Sequence, residues 1–437
     1  MTADTTVILL LELTVMLAAT LLLGRSLRRI GLPALVGELF GGIVLGPTVL
    51  GHVAPKAHDW LFPVANGVVA AREGLIQFGL LVFLFLAGLE VQLEHLSENR
   101  RTIVFTSVLG VGVPLALGSA TVFLWPSLWQ LGPEPDSLAR ALLVGTILSI
   151  SAIAVVARIL VDAGLMRTSF ASIVMASATI NDVAGWTLFG VLLGQVTGLA
   201  GGETSGGWEA RVVLLGALMA LLMGIGTSRG RRGIKWVMVR FDKSGSYVQV
   251  ILLVMLLAAS FAEWIGTHAI FGAFLAGIAV ARTSEPRSQA YAALRGITLQ
   301  FFAPLYMVSI GLRTDFATNF DPRLVMVVLI LASVGTLIGA TVGARLGGQS
   351  VRGALAIGFA LNARGVMAIV LSQVALDNGV ITERVFVALV VMAVSTSVIG
   401  AAAIGRIARG ASSERWTGVN QPGAKEPRAN QPTVAVV

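Results

Sequence analysis

The stretch LSISAIAVVARIL, residues 148–160, interrupts a long apolar run with two serines. That run extends from about 139 to 159, close to the ~20 apolar residues that a helix needs to cross a bilayer. A second run, at about 353–376, is interrupted at its centre by Asn362-Ala363-Arg364-Gly365. In lipid, irregular backbone is tolerated only where it lines a cavity or is buried in protein. The two interruptions therefore predict a polytopic membrane protein with two broken helices.

The composition places most of the chain in a membrane. Its 437 residues are 56% hydrophobic and 12% charged, against roughly 25% charged residues in soluble domains. The predicted fold class is an all-α polytopic membrane protein of about 13 transmembrane helices. The thirteen apolar stretches lie at about 5–23, 32–50, 73–92, 102–125, 139–159, 170–193, 211–228, 247–264, 268–281, 298–312, 323–344, 353–376 and 385–405. The ninth and tenth are short, which fits broken or tilted segments as well as misplaced boundaries.

The basic residues predict the orientation of the chain. The odd-numbered connections and the tail hold 23 Lys and Arg residues, six of them between Arg229 and Lys243. Basic residues are enriched on the cytoplasmic side, so we expect the N-terminus outside, the C-terminus in the cytoplasm, and Arg229 to Lys243 to form an amphipathic segment on the inner leaflet. The even connections hold seven: Lys56, Arg72, Arg140, Arg211, Arg313, Arg323 and Arg384.

Two glycine patterns predict an internal repeat. GELFGGI at 37–43 in span 2 aligns with GAFLAGI at 272–278 in span 9, and AGLE at 87–90 aligns with IGLR at 310–313. Both matches imply a shift of seven spans. An odd shift reverses orientation, so spans 1–6 and 8–13 are expected to be inverted repeats with span 7 as linker, and the substrate site to lie at broken helices near the midplane.

The stretch TINDVAGW, residues 179–186, contains a third polar feature. Asp182 is the only acid in the run from Ile173 to Leu193. A carboxylate at membrane depth is costly, and it usually faces a partner, a cavity or an ion path. Serines in membrane helices more often bond to their own backbone. A buried Arg364 needs a partner, and it serves either to pin the broken helix or to take part in transport.

The motifs resemble those of the monovalent cation:proton antiporter-2 family, within the superfamily of sodium/proton and potassium/proton exchangers. The resemblance covers roughly residues 5–405 and keeps the family's order. It is carried by LPALVGELFGGIVLGPTVLG, LFLAGLEV, LSISAIAVVARIL, SATINDVAGW, HAIFGAFLAGIAVAR, PLYMVSIGL and IGFALNARGVMAIVLSQVALDNGVI.

The resemblance implies a fold with two crossed broken helices, a homodimer in the cell membrane, and exchange of Na⁺ or K⁺ for H⁺ in pH homeostasis. It also implies an elevator-like movement of one part of the protein against another. The transmembrane domain is expected at 1–406, with a core at 102–193 and 323–405 and a dimerisation part at 5–92 and 211–312. The remainder, 407–437, is expected to be a disordered cytoplasmic tail.

The same resemblance assigns the site residues. Asp182 matches the acid that holds either a cation or a proton, and a carboxylate with hydroxyl and carbonyl oxygens suits a small monovalent cation. Asn181 stands where electrogenic relatives carry a second aspartate, and Thr336 where they carry a lysine, which favours electroneutral exchange. Some relatives pair the span-12 arginine with a glutamate at the position that Ser177 occupies here, so the partner of Arg364 is open. Ser149 and Ser151 complete the predicted ion site, and Arg364, Asn362 and Thr336 support it.

Other functions fit the sequence less well. A cation channel would need a selectivity filter, and no filter-like motif is present. An enzyme would need a nucleophile and base or a metal cluster, and four scattered histidines without cysteine supply neither. We therefore expect no enzyme activity, cofactor or nucleic-acid partner. Export of an organic cation or ion complex on the same fold stays open. His268, at the outer mouth of span 9, could sense pH, although a structural role is favoured.

Overall fold

The computed structural model describes residues 3–29, 34–63, 66–90, 99–131, 137–163, 165, 168–196, 247–264, 268–281 and 289–410. Every regular element in these ranges is a helix. The predicted seventh span at 211–228, the segment from Arg229 to Lys243 and the tail beyond residue 410 lie outside the described residues.

The first half of the chain forms nine helices among the described residues. They are α1 (Ala3–Arg29), α2 (Ala34–Leu45), α3 (Pro55–Leu61), α4 (Asn66–Leu89), α5 (Arg100–Leu124), α6 (Pro126–Trp129), α7 (Ser137–Ser149), α8 (Ile153–Asp162) and α9 (Ser169–Val196), with a π-helical turn at Pro47–Gly51.

The second half forms eight further helices in the part of the chain that the structure describes. They are α10 (Tyr247–Trp264), α11 (Ala269–Ala281), α12 (Gln289–Ile297), α13 (Ala303–Arg313), α14 (Pro322–Leu346), α15 (Val351–Leu361), α16 (Val366–Asp377) and α17 (Glu383–Gly410). A π-helical turn at Thr298–Phe302 joins α12 to α13.

Twelve of the thirteen predicted spans overlap these helices. Seven described helices are long and apolar enough to cross a membrane singly, and α15 with α16, bent by 45°, makes one more such unit. The apolar helices that contain α2, α7, α10 and α11 are shorter. Helix α17 continues to Gly410, and its apolar part ends at Arg406, next to the predicted start of the tail at residue 407.

The tenth predicted span was placed too short. The structure continues the helix back through the π-helical turn to Gln289, well before the predicted start at 298. The added turns carry Arg295, whose Nε donates to Glu90 Oε1 over 3.1 Å. Because Glu90 compensates the charge of Arg295, these polar turns can continue the apolar helix.

The two broken helices cross, as predicted. Helix α7 ends at Ser149 and α8 begins at Ile153, while α15 ends at Leu361 and α16 begins at Val366. The amide of Ala152 donates to Ala363 O over 3.1 Å, so each break supplies a partner for backbone groups that the other leaves free. Gly365 fits at the crossing because an added Cβ would lie 2.4 Å from Val155 Cγ2.

The glycines of the predicted repeat lie at two equivalent helix contacts. In the contact of α2 with α13, an added Cβ at Gly42 would lie 2.1 Å from Val308 O and 2.9 Å from Gly311 Cα. In the contact of α4 with α11, a Cβ at Gly277 would lie 2.1 Å from Phe85 O and 2.9 Å from Gly88 Cα. Small residues allow such close backbone approach in membrane bundles. Each contact joins the two halves, as inverted repeats require.

Candidate functional site

Asp182 lies near the middle of α9, with 1% of its surface exposed. The amide of Ile153, the first residue of α8, donates a hydrogen bond to its carboxylate. A helix N-terminus carries a partial positive charge and free N–H groups, so it favours an anion there. Within the described residues Asp182 Oδ1 has no hydrogen-bond partner. One carboxylate oxygen is therefore free to take a proton or a cation.

Arg364 lies between α15 and α16 and is also 1% exposed. Its Nη1 donates to Ile150 O over 3.2 Å, and its Nη2 donates to Ala332 O over 3.0 Å and to Thr336 Oγ1 over 2.7 Å. No salt bridge joins Arg364 to a carboxylate among the described side chains. Carbonyl and hydroxyl oxygens therefore hold the guanidinium, and they are the partners of Arg364 in the described chain. Asp182 is not among these partners.

The break between α7 and α8 is flanked by opposite charges. Arg364 binds the carbonyl of Ile150, just after the end of α7, and Asp182 binds the amide at the start of α8. A cation stabilises the negative end of one half-helix, and an anion stabilises the positive end of the other. The two charged side chains and the break therefore form one electrostatic unit.

The two predicted serines behave differently. Ser149 Oγ donates to Thr146 O over 2.8 Å, a bond within its own helix. Ser151 Oγ donates to Leu361 O over 2.7 Å, across the crossing of the broken helices. Ser151 therefore fixes the crossing, whereas the Ser149 hydroxyl satisfies its own backbone.

Two buried asparagines carry polar atoms without protein partners. Neither Asn181 Oδ1 nor Asn181 Nδ2 has a hydrogen bond within the described chain, and Asn362 Oδ1 also has none. The Asn181 amide lies beside α5, where a Cβ added at Gly110 would be 3.8 Å from its Nδ2. Buried polar atoms are nearly always satisfied by protein, water or an ion. These amides are therefore available to bound water or cation.

The structure brings Ser151, Arg364 and Thr336 together as a polar cluster at the crossing: Ser151 bonds to Leu361 O and Arg364 bonds to Thr336. Asp182 bonds to the amide of Ile153, two residues after Ser151. The side chains of Ser149, Asn181 and Asn362 are buried but have no described hydrogen bond to that cluster.

Sequence reasoning missed several groups at this site. The groups of Ile150, Ile153 and Ala332 that bind Arg364 and Asp182 are backbone atoms, which no side-chain motif reveals. Ser397 in α17 donates its hydroxyl to the carbonyl of Arg364. The sequence places Ser397 in a predicted span, but no motif around it indicates a contact with span 12.

Aromatic rings join α9 to α11 one turn after Asp182. Trp186 lies one helical turn after Asp182 and packs on Phe274 of α11, with ring centroids 5.7 Å apart. Farther along the same two helices, a Cβ added at Gly190 would lie 3.5 Å from the ring of Phe271. Along α9, this contact with α11 lies between Asp182 and the end of the helix that is predicted to face outside.

His268 lies just before α11. Its Nδ1 accepts the amide of Ile270 over 3.4 Å, and its carbonyl accepts the amide of Phe271 over 2.9 Å. Burial lowers the pKa of His268 below 6.5, against the opposing charges of Glu263 and Asp377. Nδ1 of His268 therefore caps the first turn of α11.

Two broken helices that cross beside a buried polar site are the arrangement found in membrane folds built from inverted repeats. A family model described as the transmembrane sodium/hydrogen exchanger matches residues 15–410. The chain belongs to the sodium/hydrogen exchanger family.

The relatives of this chain include plant and bacterial antiporters. It is 30% identical over 394 residues to cation/H(+) antiporter 18 of Arabidopsis thaliana, a match over 88% of this chain and 47% of the plant protein. It is 28% identical over 403 residues to Na(+)/H(+) antiporter NhaS4 of Synechocystis sp., a match over 90% of this chain and 95% of that protein. The chain thus spans about half the length of the plant relatives that it matches.

A solved structure has the same fold. The sodium proton antiporter MjNhaP1 from Methanocaldococcus jannaschii superposes with a TM-score of 0.60 at 15% sequence identity, over 93% of this chain and 99% of that chain.

Proposed function

We propose that this chain exchanges one monovalent cation, Na⁺ or K⁺, for H⁺ across the cell membrane. The observation that carries the proposal is the Asp182 carboxylate, buried beside two crossed broken helices with one oxygen bonded and the other free. The names of the relatives, which include Na⁺/H⁺ and K⁺/H⁺ antiporters, agree with it.

A single carboxylate gives exchange by competition. A proton on Asp182 Oδ1 removes the negative charge that a cation needs, and a bound cation stabilises the deprotonated form. The buried oxygens of Asn181 and Asn362 have no described hydrogen-bond partner, and amide oxygens are hard donors suited to Na⁺ or K⁺. If the site crosses the membrane only when loaded, cation and proton move in opposite directions.

The movement that we propose is an elevator step of the core, at 102–193 and 323–405, against the dimerisation part, at 5–92 and 211–312. Every described hydrogen bond of Asp182 and Arg364 comes from within the core. The core can therefore move as a body without breaking the site. We propose that the protein is a homodimer and that its N-terminus lies outside and its C-terminus in the cytoplasm.

The exchange that we propose is electroneutral. Among the described side chains Asp182 is the only acid of the site, so the core crosses with one cation or one proton and carries the same charge in both states. Asn181 adds no titrating group, and the Thr336 hydroxyl accepts a hydrogen bond from Arg364 instead of supplying a second charge. Arg364 keeps a constant charge through the cycle because guanidinium stays protonated in proteins.

The test is a cation panel in proteoliposomes that contain the purified chain and an internal pH dye. An inward gradient of Na⁺, K⁺, Li⁺ or Rb⁺ should drive proton efflux that saturates with cation concentration. Cation uptake without proton movement and without saturation would indicate a channel. Proton movement that requires an organic cation or ion complex would assign the fold to an exporter of that substrate.

A further inference from the structure

Arg313, the last residue of α13, is shared between two carboxylates on different parts of the protein. Its Nη2 forms an ion pair with Glu73 of α4, and its Nη1 lies 3.6 Å from Oδ1 of Asp377, the last residue of α16. Under the proposed division, α4 and α13 belong to the dimerisation part and α16 to the core. The contact of Arg313 with Asp377 therefore crosses the boundary along which the two parts would slide.

The Glu73 side of this arrangement is anchored. Glu12 of α1 is fully buried, and its Oε2 pairs with Arg72 Nη1 over 3.2 Å. Arg72 Nε lies 3.9 Å from Glu73 Oε1. Removing one member of a buried ion pair leaves an uncompensated charge, so such pairs do not open readily. Glu12, Arg72 and Glu73 therefore hold Arg313 to the dimerisation part.

The Asp377 side has its own substitute partner. Gln373, one turn earlier on α16, donates its Nε2 to Asp377 Oδ1 over 2.8 Å. If Arg313 and Asp377 separate, Arg313 keeps Glu73 and Asp377 keeps Gln373. Neither charge is left without a partner.

We propose that Arg313 is a gating residue of the exchange cycle, whose contact with Asp377 opens and re-forms once per turnover at the end of the bundle predicted to face outside. This proposal rests on the elevator step of the proposed function. Arg313 ends α13 and Asp377 ends α16, and both ends are predicted to face outside, as is the start of α11, where Phe271 packs beside Gly190.

The exposure of the pair suits a gate. The side chains of Arg313 and Asp377 are 30% and 49% exposed, and exposed ion pairs contribute little stability. Such a contact biases the equilibrium between closed and open forms by about two- to fivefold, and it can open on each cycle. A buried pair at this boundary would hold the two parts together.

The test uses the absence of cysteine from the chain. Arg313→Cys with Asp377→Cys places one thiol on each side of the boundary, and Glu73→Cys with Arg313→Cys places both thiols on the dimerisation part. Each pair is reconstituted and treated with bifunctional methanethiosulfonate reagents of increasing length. Cross-linking is read as a mobility shift on a denaturing gel, and exchange as cation-driven proton flux before and after reduction.

We expect the pair at 313 and 377 to cross-link, its exchange to fall to the level of empty liposomes, and reduction to restore it. The pair at 73 and 313 should cross-link without loss of exchange. Undiminished exchange by the cross-linked pair at 313 and 377 would overturn the proposal, as would failure of that pair to cross-link while the other pair does.

A single-residue variant gives a second measurement. Arg313→Gln should lower the external cation concentration for half-maximal exchange by about two- to fivefold, because the outer side opens more readily. An unchanged or higher value would overturn the gating role. Failure of the proposed function appears separately, as absence of cation-driven proton flux in the untreated parent protein.

Discussion

Arg364→Ala removes the donor for three buried acceptors, Ile150 O, Ala332 O and Thr336 Oγ1. A buried polar group that loses its partner costs about 1–3 kcal/mol. The carbonyl of Ala332 lies within α14 and the Thr336 hydroxyl can rotate, so we assign them the low end of that range. Ile150 O lies beyond the end of α7, outside the hydrogen-bond ladder of that helix, so we assign it the high end of the range. Together these terms predict a loss of roughly 3 kcal/mol or more in folding free energy.

The assay is thermal melting of the purified protein in detergent, with cation-driven proton flux measured on the same preparations. Lys56→Ala is the matched control, because Lys56 is exposed and exposed substitutions usually change stability by less than about 0.5 kcal/mol. Arg364→Lys should recover part of the loss, since lysine keeps the charge but not the planar fork. Melting and transport by Arg364→Ala equal to those of the parent would refute the role assigned to this residue.

Three further predictions follow from single contacts. Ser151→Ala should lower the melting temperature more than Ser149→Ala, because only Ser151 bonds across the two broken helices, at about 1 kcal/mol for the bond; equal effects would contradict its role at the crossing. His268→Gln should leave the pH profile of exchange unchanged from about pH 7 to 9, because its lowered pKa keeps the ring neutral there. Any stability linked to His268 titration is present above its unfolded pKa and is lost as pH falls towards the folded pKa, and a shifted neutral profile would argue for pH sensing. A potassium diffusion potential imposed with valinomycin should leave the initial rates of Na⁺-driven exchange equal at both polarities in the parent. Asn181→Asp should make these rates depend on the membrane potential. Moving one charge across the membrane is worth about 2.3 kcal/mol per 100 mV, so electrogenic exchange is readily detectable.

The spans and both breaks were predictable because each is a local property of composition. A run of about 20 apolar residues indicates a membrane helix, and Ser149 to Ala152 and Asn362 to Gly365 interrupt two such runs. The glycine matches at Gly42 and Gly277 were also informative, since close backbone contact excludes larger side chains at both positions.

The partners of the charged residues were not predictable, because they come from distant parts of the chain or from the backbone. Arg364 binds Ile150 O, 214 residues away in the sequence. Arg72 was assigned to a connection between spans, but it lies inside α4, where the buried Glu12 of α1 compensates its charge. Counting basic residues assigns Arg72 to a loop, because the count ignores acidic partners on other helices.

Under the proposed function one carboxylate, Asp182, holds either the cation or the proton, and proton flux by Asp182→Asn measures this most directly. The substitution keeps the shape of the side chain and removes its charge and its titration. The matched control is Asp59→Asn, since the Asp59 side chain is 81% exposed. We predict that Asp182→Asn protein melts as the parent does but gives no cation-driven proton flux above empty liposomes, while Asp59→Asn retains the parental rate. Parental flux from correctly folded Asp182→Asn protein would contradict the account.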